Sequence, residues 1–190
     1  MDSINYYISD LHLFCDSQVG ENNLDNRPFK TLEEMHKCIL DNWNSTVTNA
    51  DTVYILGDVS RRGKNDALIA LVSQLRGKKV LVVGNHDDLK DYRYKKLYDR
   101  IVDYEELTDY VDGIAYKLVL SHYPIMFWNG QHRLSILLYG HTHNTNEDEY
   151  FKGCVIKLGF VAINVGCMKS YMNYTPRTLK EILRGKLLVR

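Results

Sequence analysis

Five short polar blocks, Asp10-Leu11-His12, Gly57-Asp58, Gly84-Asn85-His86-Asp87, Ser121-His122 and Gly140-His141-Thr142-His143, hold five of the seven histidines of a 190-residue chain. Their carboxylate, imidazole and amide groups, with no thiolate among them, suit Mn, Fe, Co, Ni or Zn rather than an all-oxygen calcium cage. Asp10, His12, Asp58, Asn85, His122, His141 and His143 supply enough donors for two divalent ions, with Mn²⁺ the first choice. Such a pair carries more positive charge than two aspartates and a bridging hydroxide remove, so the centre attracts a phosphate anion. Ions held about 3.5 to 4 Å apart would keep that hydroxide on one face of phosphorus and polarise the phosphoryl oxygens for in-line displacement, with no protein nucleophile. No Gly-x-Ser-x-Gly elbow, P-loop or Gly-x-Gly-x-x-Gly supports a rival mechanism.

Singly, most of these blocks say little. Asp-x-His can be a loop cap beside a solvated histidine, and Gly-Asp after a strand is most often a turn. Gly84-Asn85-His86-Asp87 is different, because average residue usage would produce it in about one such chain in a thousand. His36, on a helical stretch, and His132, in a loop, read as packed or solvated and stand outside the set.

The elements that must position these residues are strands. The runs 6–8, 53–56, 80–83, 118–120 and 136–139 are nearly all apolar and too short for helices, as strands buried on both faces are. Each ends in one of the polar blocks. The carboxyl ends of parallel strands form the crevice where ligands bind in open α/β sheets, so five such ends bring distant residues to one place. Between the strands, Thr31-Leu32-Glu33-Glu34 is a capping box followed by Leu32, Met35, Ile39, Leu40 and Trp43 at helical spacing. A second helix, capped by Asn65 or Asp66, carries Leu68, Leu71, Val72 and Leu75 and closes at Gly77. The order is a right-handed parallel βαβαβ unit. Further along, 91–98 reads as a short helix, and 101–107, 114–120 and 160–165 as extended. Thr175-Pro176 reads as the start of a last helix through Leu183, and 187–189 as a final short strand. More strands than helices in the second half implies two packed sheets.

Nothing divides the chain: no Pro/Gly/Ser-rich linker, repeat or charge block interrupts it, and residues 1–190 read as a single domain. Lys plus Arg and Asp plus Glu both number 24, so the total charge gives no signal for nucleic acid or an anionic membrane. No run approaches the roughly 20 apolar residues of a membrane span. The start of the chain lacks the features of a secretion signal, and the four cysteines show no C-x-x-C spacing. The expectation is a cytoplasmic protein with reduced thiols.

From Asp10 to His143 the blocks resemble those of the calcineurin-like metallophosphoesterase superfamily, which carries Asp-x-His, Gly-Asp, Gly-Asn-His-Asp/Glu, a lone His and Gly-His-x-His in that order. The resemblance implies a four-layer α/β/β/α sandwich of two mixed sheets flanked by helices. It further implies one ion on Asp10, His12, Asp58 and His143, and another on Asp58, Asn85, His122 and His141, with Asp58 shared. Asn85 would also touch phosphate, and His86 would stabilise the transition state or protonate the leaving oxygen. Gly57-Asp58-Val59-Ser60-Arg61-Arg62-Gly63 aligns with the Gly-Asp-x-x-Asp-Arg-Gly of the family's protein phosphatases, but Arg61 stands where those enzymes place the aspartate that orients the histidine. That departure argues against a protein phosphatase and leaves Asp87 as a substitute partner for His86. Arg62 keeps the arginine that contacts phosphate.

Two segments leave the ligand-bearing end of the sheet, 14–30 and 126–130. In them Arg27 could clamp phosphate and Trp128 could stack on a flat leaving group. The function expected is hydrolysis of a phosphodiester, or less readily a phosphomonoester, in a small substrate. The competing readings are a nuclease and a protein-binding scaffold of the same fold.

Overall fold

The computed structural model describes residues 3–61 and 66–188. The first half builds the βαβαβ unit that the hydrophobic pattern predicts. Strands β1 (Asn5–Ile8), β2 (Thr52–Ile55), β3 (Lys78–Val82) and β4 (Arg100–Val102) pair in that order, every pair parallel. Helix α1 (Leu32–Thr46) crosses from β1 to β2. The Thr31 side chain accepts from the Glu34 N–H, and Met35, Ile39 and Trp43 form its buried stripe. Helix α2 (Asp66–Ser73) crosses from β2 to β3. Gly77 follows in the left-handed region (φ +84°), where a Cβ would lie 2.8 Å from Val47 Cγ1. Asp91 caps the short helix α3 (Tyr92–Lys95).

The second sheet is mixed. Strands β5 (Glu105–Val111) and β6 (Ile114–Leu120) form an antiparallel hairpin, and β7 (Ile136–Tyr139) and β8 (Val161–Asn164) extend it in parallel. Alternation along these strands divides two hydrophobic layers. Leu118, Leu120, Ile136, Leu138 and Ile163 join the main core, whereas Val119, Leu137, Tyr139 and Ala162 face outward to Phe151 and Val155 of helix α4 (Asn146–Lys157). The sheets meet where the Tyr7 hydroxyl donates to Asp109 Oδ2 at 2.6 Å and where Ser9 bridges to Gly166. The result is the two-sheet α/β sandwich expected, with one correction: the first sheet is parallel throughout, because its successive strands are joined by crossovers.

Two terminal features differ from expectation. Helix α5 spans Leu179–Leu188 and starts after Thr178, whose hydroxyl donates to the Glu181 carboxylate, and not after Thr175. Residues 175–178 are held instead by an antiparallel bridge between Arg177 and Tyr7. Leu187 and Leu188 continue that helix rather than forming a strand, and Val189 lies outside the described residues, as does the cap candidate Asn65. Among the described residues, no helix is long and apolar enough to cross a membrane.

Candidate metal centre

The loops after β1, β2, β3, β6 and β7 converge, and their backbones are shaped for the approach. Asp10, His12, Asp58, His141 and His143 all have positive φ, between 48° and 70°. Glycines make room between the strand ends. A Cβ on Gly84 would sit 2.4 Å from Asp58 Oδ1, one on Gly57 2.4 Å from His122 Nδ1, and one on Gly140 2.7 Å from Asp10 Oδ2.

Asp58, almost fully buried, lies at the middle. Its Oδ2 is 3.6 Å from His12 Nε2 and its Oδ1 is 3.6 Å from His122 Nε2, so its two oxygens look toward two clusters. In the first, donor atoms of Asp10, His12, Asp58 and His143 lie within 4.8 Å of one another; in the second, those of Asp58, His122 and His141 do. Asn85 joins the second through Oδ1, 3.0 Å from His122 Nε2. The His122 Nδ1 is 2.8 Å from the Leu56 carbonyl, which can only accept, so Nδ1 carries the proton and Nε2 a lone pair. Three lone-pair atoms, His122 Nε2, Asn85 Oδ1 and Asp58 Oδ1, then face one another with no hydrogen between them. That arrangement calls for a cation, and its N/O chemistry fits a divalent first-row ion.

The electrostatics agree. Burial raises the Asp10 carboxyl although His143 and His122 pull it down, and burial, reinforced by His143 and Arg27, drives His12 down to about 2. A desolvated acid beside a desolvated, neutral His12 suits a cation, while against the lowering effect of burial Asp25 and Asp10 raise the pKa of His143.

His86 stands apart from both clusters, its Nε2 4.0 Å from Asp58 Oδ2 and its side chain about one quarter exposed. Arg61 lies against it, donating from Nε to His86 Nδ1 at 2.9 Å. Arg61 Nη2 also lies 3.2 Å from His86 Nε2, so the guanidinium, which can only donate, faces the ring edge that carries both nitrogens. Burial lowers the His86 pKa despite Asp58, and Arg61 adds to the lowering. Asp87 does not take the orienting role. Its carboxylate accepts instead from the N–H groups of Asp58, Val59 and Gly84, locking the loops after β2 and β3 together.

Two substrate-contact expectations are corrected. Arg27 is buried and donates to Asp25 and to the Asp10 and Leu11 carbonyls, so it cannot reach a ligand. Trp128 is buried against Phe160, with its indole N–H satisfied by Ser135, and it fills the layer under α4 rather than stacking on a substrate. Arg62 lies outside the described residues.

Sequence reasoning missed Tyr123 and Asp25. Tyr123 follows His122, remains 47% exposed and packs its ring 4.6 Å from that of His141. Asp25 accepts from His143 Nδ1. The one available signal for Asp25 was the length of the irregular segment 14–30, since long structureless loops in compact domains are usually functional.

Comparison with known proteins gives the same reading. A family profile described as calcineurin-like phosphoesterase matches residues 6–153. An uncharacterized protein of Methanocaldococcus jannaschii is 30% identical over 191 residues, covering 96% of this chain and 93% of its own. The Gene 66 protein of Mycobacterium phage D29 is 34% identical over 124 residues, covering 54% of this chain and 62% of its own. A crystal structure of a protein of unknown function from Aquifex aeolicus superposes with a TM-score of 0.70 at 24% identity, over 96% of this chain and 99% of that one, and shares the fold. With the ordered blocks, the shared carboxylate and the profile match in hand, the chain belongs to the calcineurin-like phosphoesterase family.

Proposed function

We propose that the protein is a dinuclear metal-dependent phosphodiesterase acting on a small substrate. The observation that carries this reading is the division of Asp58 between two clusters of lone-pair atoms. Asp10, His12, Asp58 and His143 would hold one ion, and Asp58, Asn85, His122 and His141 the other, with Mn²⁺ favoured and Fe, Zn, Ni or Co as substitutes. When bound, such ions supply Lewis-acid polarisation of the phosphoryl group and lower the pKa of water into a useful range.

The protein groups do the rest. Asn85 is exposed, so its amide N–H can donate to a phosphoryl oxygen while Oδ1 faces the cluster. His86, with Nε2 4.0 Å from Asp58 Oδ2, stands where its ring can stabilise the charge that develops on the leaving oxygen. Arg61, exposed beside it, has spare donors for a second phosphoryl oxygen. Tyr123 offers the open aromatic face expected of Trp128. The diester preference is supported by the burial of Arg27, which removes one cation from the groups that would meet a monoester's second charge.

The test is hydrolysis of bis-p-nitrophenyl phosphate against p-nitrophenyl phosphate by metal-stripped protein with Mn²⁺ restored. Turnover should require Mn²⁺, favour the diester and vanish in Asp58→Asn, which should also lose affinity for both ions. Monoester preference would overturn the diester reading, and two tightly held ions in Asp58→Asn would overturn the shared-ligand assignment.

A further inference from the structure

His143 shows its two nitrogens to different partners. Nδ1 lies 2.9 and 2.8 Å from the two carboxylate oxygens of Asp25. Nε2 points the other way, 3.1 Å from His12 Nε2 and 3.6 Å from Asp10 Oδ1. Asp25 is itself buried, and its Oδ2 receives Nε and Nη2 of Arg27 at 3.2 and 3.1 Å. Arg27 continues to the backbone of the first ligand block, donating to the Asp10 carbonyl at 2.8 Å and the Leu11 carbonyl at 3.0 Å. The segment expected to shape substrate choice is thus folded under the site as a brace.

We infer that Asp25, held in place by Arg27, is a positioning residue that keeps the proton of His143 on Nδ1 and so leaves Nε2 as an electron-pair donor to the ion shared with Asp10, His12 and Asp58. The inference rests on the dinuclear reading above for the identity of that ion, but not for the tautomer. The tautomer follows from donor and acceptor inventory. Arg27 has no acceptor, so the group it faces must supply lone pairs, and a carboxylate so held can only accept from the imidazole. Outer partners of this kind orient ligating histidines and raise their basicity.

Asp25→Asn separates this role from simple packing, because the amide is nearly the same size. Arg27 still demands an oxygen at the Oδ2 position, which places the amide nitrogen at Oδ1. The oxygen kept at Oδ2, 2.8 Å from Nδ1, still accepts the ring proton but without the carboxylate's charge, and the amide nitrogen competes for Nδ1, so both the hold on Nδ1–H and the basicity of Nε2 fall. Long-range ¹H–¹⁵N NMR of the metal-free proteins, at a pH where the ring is neutral, should show His143 as Nδ1–H in the wild type and with a larger Nε2–H fraction in Asp25→Asn. Calorimetric Mn²⁺ titration should then show one of two sites weakened about 10- to 100-fold, with the other unchanged. Circular dichroism checks the fold. An Nε2–H wild type, a tautomer indifferent to the substitution, or unchanged Mn²⁺ affinity in folded Asp25→Asn overturns the inference. A wild type that binds no Mn²⁺ overturns the dinuclear reading and the ligand role of Nε2 together, while the NMR comparison still decides what Asp25 does to the ring. Should Asp25→Asn not fold, the wild-type tautomer decides alone.

Discussion

At the scale of single residues, His86 is the group whose surroundings depart most from a hydrolytic histidine's usual company. A carboxylate partner would place the proton on Nδ1 and stabilise an imidazolium; the Arg61 guanidinium instead faces both ring nitrogens and disfavours the imidazolium. A neutral imidazole is too weak an acid to surrender its N–H, so its contribution is a hydrogen bond to the charge that develops on the leaving oxygen. His86→Ala should therefore retain both ions in a metal assay, yet lose about 10²- to 10⁴-fold in rate, with the loss growing as the leaving group becomes more basic. An unchanged rate on an alkyl leaving group would remove His86 from the reaction. The seven ligand candidates could be read from sequence because each sits in a short polar block directly after an apolar run. Arg27 and Trp128 could not be read correctly, since an exposed clamp and a buried brace have the same letters. Only tertiary contacts, to Asp25 in one case and Ser135 in the other, decide between them.

At the scale of elements, the site is a junction of strand ends whose separation is set by absent side chains. Gly84→Ala places a methyl 2.4 Å from Asp58 Oδ1 and 2.5 Å from the Asp58 nitrogen, a backbone atom that cannot move aside. The expected cost is at least the roughly 1 to 3 kcal/mol of an overpacked core, read by denaturant titration, together with weakened binding of both ions through Asp58. Gly153→Ala supplies the contrast. It lies within α4 with nothing within 4 Å of its added carbon, and should stabilise the protein by roughly 0.5 to 1 kcal/mol. Helix α4 itself escaped the hydrophobic pattern for a physical reason. Only Phe151 and Val155 mark its apolar stripe, the third buried position is Asp148, and Tyr150 and Ile156 face solvent. The start of α5 was displaced by a similar override, the pairing of Arg177 with Tyr7.

At the scale of the whole molecule, Asp148 ties the second sheet, its covering helix and the last ligand loop together. Its Oδ1 accepts from Tyr139 of β7, Thr142 and Asn164 of β8, and its Oδ2 accepts from Lys169 and Lys152. Burial alone would raise its pKa, but these donors hold it well below the ordinary carboxylate range. A carboxylate with a depressed folded-state pKa stabilises the fold above its unfolded pKa, about 3.9, and loses that contribution as pH falls toward the folded value. Asp148→Asn should cost about 3 to 5 kcal/mol at neutral pH, because buried Lys169 is left uncompensated. Unfolding scans should show the gap between wild type and variant narrowing below about pH 4. A gap independent of pH would mean that the carboxylate's charge is irrelevant to its role.

The left-handed backbone at Asp10, His12, Asp58, His141 and His143 bears on how such a chain can change over generations. Each such position costs a non-glycine residue on the order of 1 kcal/mol or more, although aspartate and histidine tolerate it better than most. Summed over five positions, the burden is comparable to the entire folding stability of many domains, about 5 to 15 kcal/mol. Selection acting on stability alone would therefore favour glycine or asparagine at these positions. A descendant released from its chemistry would erode first where the ligands stand, becoming sturdier as it became inert.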